Sequence, residues 1–137
     1  MTTRFLDTNI VLRHLLNDDP VKSPACLALI RGIEQGKLLA WTSHLVIAEL
    51  VFVLSNTRAY SLGREDIRDR LLPLINLPGL KVAKKRLFSR VFELYTSLRI
   101  DYIDCYHAAL IDEHADHELT SYDLHFDQLP GVRRFEP

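Results

Sequence analysis

Residues 4–12 read Arg4-Phe5-Leu6-Asp7-Thr8-Asn9-Ile10-Val11-Leu12, a short apolar run that changes into a helical pattern at an aspartate. We interpret Arg4-Phe5-Leu6 as a short buried strand and the segment from about Asn9 to Leu16 as a helix. An acid at a strand-to-helix turn stands at the edge of the sheet where open α/β folds bind ligands. This stretch therefore indicates an α/β fold with a functional edge.

The rest of the chain continues the alternation of short strands and longer helices. The predicted strands are residues 38–42, 80–82, 118–121 and 132–135. The predicted helices begin at the Ser23-Pro24 start signal and close at Gly36, follow Ser43 to about Leu54, and span about 64–75, 85–98 and 101–115. Pro73 is expected to kink or end the helix that contains it. Strands separated by helices imply a mostly parallel sheet with helices on both faces.

Length and charge favour one ordinary globular domain. The chain has 137 residues, and 17 Lys and Arg against 18 Asp and Glu, so net charge alone points to no polyanionic partner. The charges are nevertheless segregated, because residues 81–99 hold six Lys and Arg against one acid, and residues 101–127 hold eight acids but no Lys or Arg. This pattern fits either a phosphate-reading rim beside a metal site or a solvated helix face.

Cysteine usage and hydropathy favour a cytoplasmic location. Cys26 and Cys105 form no zinc-binding spacing and lie in apolar helical contexts, so we expect buried free thiols in a reducing compartment. Asp7 and Asn9 interrupt the N-terminal region where a signal peptide would need an apolar core. The uncharged run near Trp41 is too short and too polar to span a bilayer, so we expect no membrane contact.

Three further acids occupy positions that suggest chemistry. Glu49 lies inside an apolar helical run and Asp104 inside Tyr102-Ile103-Asp104-Cys105-Tyr106, while Asp123 follows the predicted strand at 118–121. Isolated carboxylates are costly to desolvate unless they are paired or bound to a metal. Together with Asp7 they come from four segments that we expect at one sheet edge, where Mg²⁺ or Mn²⁺ would remove their mutual repulsion.

Each acid also has a plain structural explanation. Asp7 is a good helix N-cap, Glu49 fits an exposed helix position, Asp104 fits a first turn, and Asp123 fits a turn. A zinc site built from histidines is a further alternative, and its candidates are His107, His114 and His117. Arg13 and His14 could approach a phosphate or simply face solvent. Tyr102 and Tyr106 could stack on bases or pack in the core.

Four ordered motifs carry a resemblance to a known family. They are Phe5 to Leu12, Ser43 with Ala48-Glu49-Leu50, Ile103-Asp104-Cys105-Tyr106-His107-Ala108-Ala109, and Ser121-Tyr122-Asp123-Leu124-His125-Phe126. The set resembles the acidic motifs of PIN-domain nucleases and, within that family, most closely the VapC-type ribonuclease toxins of toxin–antitoxin pairs. One position departs from the pattern: the family often has Thr two residues before the fourth acid, where this chain has Ser121.

The resemblance implies a three-layer α/β/α sandwich around a mostly parallel central sheet, with residues 1–137 forming a single PIN-like domain, usually in a homodimer. It makes four residues the catalytic and metal-binding acids: Asp7, Glu49, Asp104 and Asp123. It makes three residues their polar supports: Thr8, Asn9 and Ser121. Asp127 is an alternative fourth acid that the spacing does not favour.

The function implied is hydrolysis of RNA phosphodiester bonds by an endoribonuclease that depends on Mg²⁺ or Mn²⁺. The resemblance further implies a cognate antitoxin protein whose segment occupies the active-site groove. A second hypothesis is a PIN-fold module that binds RNA or a protein without catalysis. The weakest hypothesis is a metal-dependent phosphatase, because Asp7-Thr8-Asn9 lacks the second acid of a D-x-D pattern.

Overall fold

The structure is a computed structural model that describes residues 2–56 and 60–137. Its backbone contacts divide the chain into two compact units, a first unit of residues 1–85 and a second unit of residues 86–137. The expectation of a single domain over residues 1–137 stays a prediction. Each unit has its own strands, helices and apolar core.

The first unit is built around a three-stranded parallel sheet in the order β1-β2-β3. Its elements are β1 Thr3–Phe5, α1 Thr8–Leu16, α2 Lys22–Glu34, β2 Leu39–Trp41, α3 His44–Asn56, α4 Arg64–Ile75 and β3 Leu80–Lys81. Phe5 is in register with Trp41, and Trp41 with Lys81, so the carboxyl ends of the three strands share one edge. This edge leads directly into α1 and α3.

Helix packing supplies the core of the first unit. The central helix α3 contacts both α1 and α4. Its positions Ile47, Leu50 and Leu54 are almost completely buried, as are Ile67 and Leu71 of α4. Each buried aliphatic side chain stabilises the fold by about 1.5–3 kcal/mol relative to exposure. The buried positions lie three or four residues apart, so each helix buries one face.

The start of α2 differs from the prediction. The helix begins at Lys22, with Val21 rather than Ser23 at the N-cap position. The Asp19 carboxylate accepts hydrogen bonds from the backbone N–H groups of Val21 and Lys22, at 2.9 Å and 2.7 Å. Ser23 is buried, and its hydroxyl accepts a bond from the backbone N–H of Asp19. The Ser23-Pro24 signal was wrong because an acid further upstream satisfies the first helical amides.

One proline and one glycine add detail to the elements of the first unit. Helix α4 continues two residues beyond Pro73, to Ile75. Gly79, just before β3, has no room for a side chain, because an added Cβ would collide with the carbonyl oxygens of Ile33 and Leu38. The glycine is therefore required by close packing rather than by an unusual turn conformation.

The second unit combines two packed helices with a two-stranded parallel sheet. Its elements are α5 Leu87–Ser97, α6 Tyr102–Glu113, β4 Glu118–Thr120, a 3₁₀ helix at Leu124–Gln128 and β5 Arg133–Phe135. Strand β4 pairs with β5 in parallel, with Thr120 in register with Phe135. The 3₁₀ helix was absent from the predicted elements. The α/β class and the parallel pairing of strands are confirmed in both units.

Aromatic side chains fill the contact between α5 and α6. The rings of Phe92, Tyr95 and Tyr102 lie with centroids 5.8–6.2 Å apart and are almost fully buried. Tyr102 is thus a core residue and is not available to stack on a base. Cys26 and Cys105 are both buried free thiols, as expected. Across the described residues, no helix is long and apolar enough to cross a membrane.

Candidate active site

Asp104 occupies the first turn of α6 on the half-exposed side of the helix. The opposite side carries Tyr102, Cys105, Ala108 and Ala109, which are buried against the rest of the second unit. Because α6 packs against α5 along this apolar side, the Asp104 side chain is directed away from the core. Its carboxylate keeps about a fifth of its surface exposed, at 22%.

Asp123 stands at the N-cap of the 3₁₀ helix, directly after the turn that leaves β4. The Ser121 hydroxyl accepts a hydrogen bond from the backbone N–H of Asp123, at 3.0 Å. Ser121 is held in turn, because its N–H donates to the carbonyl oxygen of Phe135 and its own carbonyl oxygen accepts from Arg134. The predicted supporting residue therefore contacts the backbone of the acid that it was expected to orient.

His125 joins these two acids. Its Nε2 atom lies 2.9 Å from Asp104 Oδ2 and 2.8 Å from Asp123 Oδ2. The imidazole ring stacks at a tilt on Phe126, which is buried and anchors the 3₁₀ helix. Within the described part of the chain, these three residues form the one group of at least three His, Cys, Asp or Glu side chains whose potential ligand atoms all lie within 4.8 Å of one another.

The site was predicted only in part, because sequence reasoning gave His125 no role. The signal was available in the fourth motif, where His125 follows Asp123 by two residues. At that spacing an aspartate readily accepts a hydrogen bond from the backbone two residues on. Such a bond is present between the His125 N–H and Asp123 Oδ1, at 3.5 Å. This local turn brings the imidazole back towards the acid.

Asp127, the alternative fourth acid, is engaged elsewhere. Arg134 donates to both of its carboxylate oxygens, at 2.8 Å and 3.3 Å. The hydrogen bond from Arg134 holds the pKa of Asp127 below its ordinary value, and the guanidinium charge adds to that effect. This ion pair stabilises the loop that follows Asp123.

In the first unit, Asp7 follows β1 at the N-cap position of α1, but its side chain makes no capping hydrogen bond. The residue before it is fixed, because the Thr42 hydroxyl donates to the Leu6 carbonyl oxygen at 2.9 Å and the Leu6 N–H bonds to Trp41. Asp7 itself is exposed, as is Asn9. The carboxylate thus stands at the sheet edge without serving as the side-chain cap of its helix.

Thr8, beside Asp7, is unusual in a different way. It is buried, and its hydroxyl oxygen has no hydrogen-bond partner among the residues that the structure describes. A buried hydroxyl without a partner costs about 1–3 kcal/mol. Such a group is a reasonable support for a ligand that approaches the Asp7 edge.

Glu49 is exposed on α3, between two exposed apolar residues of the same helix face, Leu45 and Phe52. These three positions fall four and three residues apart, which places them along one side of a helix. The plain interpretation of Glu49 as an exposed helix position agrees with its exposure. Neither Glu49 nor Asp7 belongs to a described group of clustered potential ligands.

The donor set in the second unit suits a divalent cation. Nε2 of a neutral or protonated imidazole carries at most one hydrogen, so it cannot donate in good geometry to both carboxylates at once. Two aspartate oxygens and an imidazole nitrogen are also ordinary metal ligands. A cation bound by Asp104 and Asp123 would compensate both negative charges, which a single N–H does incompletely.

The alternative sites receive less support. No described ligand cluster contains His107, His114 or His117, so the histidine zinc site is not formed. Arg13 pairs with Asp18 at 3.1 Å. In the basic stretch of the second unit, Arg86 pairs with Glu113 and Arg90 with Asp112. These two arginines serve helix-to-helix ion pairs rather than an open phosphate rim.

Comparison with known proteins assigns the family. A family model described as the PIN domain matches residues 4–132, a span that contains all four acidic motifs. No curated protein matches the chain. Among solved structures, the chain is similar to one in the crystal structure of VapBC2 from Rickettsia felis bound to a DNA fragment from its promoter. That similarity has 19% identity over 98% of each chain and a TM-score of 0.39, so it adds no weight to the family match.

The match over residues 4–132 confirms the resemblance that the ordered motifs carried and the PIN-like fold class that it implied. The two parallel sheets and the helices that follow their strands agree with that class. The chain belongs to the PIN domain family.

Proposed function

We propose that this protein is a metal-dependent endoribonuclease that hydrolyses phosphodiester bonds in RNA. The observation that carries the proposal is the gathering of Asp104, Asp123 and His125 in a chain of the PIN domain family, whose members are generally nucleases. In this proposal residues 1–137 act as a single PIN-like domain. Mg²⁺ or Mn²⁺ is the expected cofactor, because both accept carboxylate oxygens.

Residues of the second unit would hold the ion. Asp104 and Asp123 would each offer an Oδ atom, and His125 would offer Nε2 or keep both carboxylates oriented. When bound, the ion supplies a nucleophilic water and neutralises charge on the phosphate. Ser121 and Arg134 hold the Asp123 loop in place, which keeps that carboxylate from relaxing away. Such outer contacts typically contribute 10–100-fold to affinity or activity.

Asp7 and Glu49 complete the proposed catalytic set from the first unit. Asp7 would bind metal at the sheet edge, and Glu49 would orient or activate water. Thr8 and Asn9 would support Asp7 by their polar side chains. The support for these roles is their match to the first and second acidic motifs, together with an Asp7 carboxylate that is exposed and makes no helix cap.

The biological setting belongs to the same proposal. The resemblance to VapC-type toxins supports a role as the toxin of a toxin–antitoxin pair, acting in the cytoplasm. It also supports a homodimer and inhibition by an antitoxin segment. A protein with this role would be inactive as purified with its antitoxin and active after its removal.

The test is RNA cleavage by the purified protein with Mn²⁺, with Mg²⁺ and with a chelator, followed by the same assay on Asp104→Asn. We expect cleavage that requires the cation and that falls at least about 100-fold in Asp104→Asn. Loss of a group that only supports a metal ligand typically costs up to about 100-fold, and Asp104 is itself a proposed ligand. Asp101→Asn is the matched control. Asp101 lies three residues earlier, at the start of the same helix, and its side chain makes no capping bond.

Two outcomes would contradict the proposal. One is cleavage that persists undiminished in the chelator or in Asp104→Asn. The other is RNA or protein binding that needs no cation, without cleavage of any of a broad set of RNAs. The second outcome would favour a catalytically silent binding module.

A further inference from the structure

Exposed apolar side chains in the second unit are concentrated beside the candidate acids. The large hydrophobic residues described as exposed in this unit are Ile103, Tyr122, Leu124 and Phe135. Tyr122 and Leu124 flank Asp123 on both sides, and Ile103 directly precedes Asp104. Tyr122 is the most exposed of the four, at 71%. Exposed apolar side chains next to an acidic site are expected at an interaction surface.

The turn that carries Tyr122 is held in place on both sides. Ser121 before it receives hydrogen bonds from Asp123 and Arg134, and donates one to Phe135. Asp123 after it is tied to His125 by the backbone bond and by the contact with Nε2. The ring is therefore presented to solvent from a fixed backbone, which lowers the entropy lost when a ligand packs on it.

Tyr122 is also the immediate chain neighbour of Asp123. Consecutive Cα atoms are about 3.8 Å apart, so Tyr122 begins one residue away from the proposed ligand. A phosphodiester bound at the acids brings its own nucleobases into that neighbourhood. A nucleobase is planar and uncharged, so it can lie on an aromatic face beside carboxylates that repel phosphate groups.

We propose that Tyr122 is a stacking platform for one unpaired nucleobase adjoining the phosphate that is cleaved. The inference rests on the proposed function for its substrate class. Bases inside a duplex already stack on their neighbours and cannot offer a face to the ring. The ring adds affinity for the nucleotide without reading its hydrogen-bonding edge, so this contact tolerates any of the four bases.

The first experiment measures binding of a fluorescent single-stranded RNA in Ca²⁺, to the Asp104→Asn protein, so that cleavage does not interfere. Tyr122→Ala should weaken binding about 5- to 150-fold, the range for loss of one base–aromatic stack. Tyr122→Phe keeps the ring and should bind within about twofold of the parent. Tyr122→Leu keeps apolar area but loses the ring, so it should resemble Tyr122→Ala.

The second experiment locates the base. A set of RNAs, each with one abasic position, is assayed for binding and for cleavage by the protein with its catalytic acids intact. One position beside the cleaved bond should lower affinity for the protein with Tyr122 and have no further effect on Tyr122→Ala. Such non-additivity is the signature of two groups in direct contact.

The outcomes separate this inference from the proposed function. Cleavage with no effect of Tyr122→Ala or of any abasic position overturns the stacking role and leaves the nuclease intact. Binding that depends on the ring, without cleavage, supports the stacking role and overturns the nuclease. No affinity for single-stranded RNA overturns the stacking role. Equal RNA binding by Tyr122→Leu and the parent also overturns it, because apolar area rather than the aromatic ring would then carry the contact.

Discussion

The two units treat their acids differently. In the second unit, Asp104 and Asp123 share one imidazole nitrogen at 2.9 Å and 2.8 Å. In the first unit, Asp7 and Glu49 are exposed, and neither carboxylate is bonded to a described residue. The second unit therefore carries an internal partner for its acids, while the first unit leaves its acids to whatever binds from outside. Local turns can assemble part of a polar site, but distant carboxylates depend on the ligand for compensation.

The largest expected effects come from the acids themselves. Asp7→Asn and Glu49→Gln should each reduce RNA cleavage by a factor similar to Asp104→Asn, at least about 100-fold, because all belong to the proposed catalytic set. The double variant Asp7→Asn with Asp104→Asn should cleave RNA at about the rate of either single variant, since the effects of residues that act as a unit are strongly non-additive. Initial rates under saturating Mn²⁺ and single-turnover conditions measure both effects.

Glu65→Gln is the control for Glu49→Gln, because Glu65 is another exposed helical glutamate of the first unit. Full activity in Asp7→Asn and Glu49→Gln would confine the chemistry to the second unit. The second unit would then contain the catalytic residues, and Asp7 and Glu49 would be ordinary surface residues of the first unit.

A second, smaller effect concerns His125. If its Nε2 atom supports the ion, His125→Ala should weaken Mn²⁺ binding about 10- to 100-fold, because it removes a ligand or the group that orients two ligands. The loss should be smaller for Mg²⁺, which prefers oxygen ligands. Calorimetric titration of both ions gives the two affinities. Tighter Mn²⁺ binding in His125→Ala would show instead that the imidazole competes with the cation.

A third test compares the hydroxyl groups of Thr8 and Tyr102, which are buried and have no hydrogen-bond partner in the described part of the chain. Thr8→Val should lower cleavage about 10-fold, with stability unchanged or raised, if the hydroxyl supports a ligand at Asp7. Tyr102→Phe should leave cleavage unchanged and raise the free energy of unfolding by up to about 1 kcal/mol, because burial of its hydroxyl has no compensating bond. Urea unfolding and cleavage rates distinguish them. Identical behaviour of the two variants would remove any special role for Thr8.

The smallest effect is a change in acid stability of the second unit. The hydrogen bond from Arg134 lowers the pKa of Asp127 from its ordinary 3.8. A carboxyl whose pKa is lower in the folded state stabilises the protein above the unfolded value, and this contribution is lost as pH falls through the folded pKa. Asp127→Asn should therefore be less stable at neutral pH and lose less stability on acidification below pH 3.8. Parallel pH profiles of urea midpoints would contradict this.

Much of the fold followed from periodicity and from the placement of acids. The alternation of short strands and helices predicted parallel pairing, and the apolar spacing over residues 85–98 identified the face that α5 buries. The start of α2 was missed because the Asp19 carboxylate accepts the N–H groups of Val21 and Lys22, while the Ser23 hydroxyl turns back to the N–H of Asp19. The 3₁₀ helix was missed because five residues are too few to show a period.

The candidate site was likewise predicted only in part. Asp104 was singled out because a carboxylate in an apolar run needs a partner, and Asp123 because it follows a predicted strand at the sheet edge; the structure brings the two together. His125 was missed because its spacing of two residues from Asp123 was not interpreted as a turn that returns the imidazole to the acid. Its role depends on a turn whose geometry is set by Ser121, Asp123 and Arg134 together.

The lack of a side chain at Gly79 affects the structure beyond that residue. Its carbonyl oxygen accepts the Ala40 N–H, and two residues later Thr42 in the same segment binds the Leu6 carbonyl oxygen. A methyl group at position 79 would push against Ile33 and Leu38 and displace β3 from β2. That displacement would pass through Thr42 to the peptide that carries Asp7. The position of Asp7 thus depends on the absence of a side chain at residue 79, just before β3.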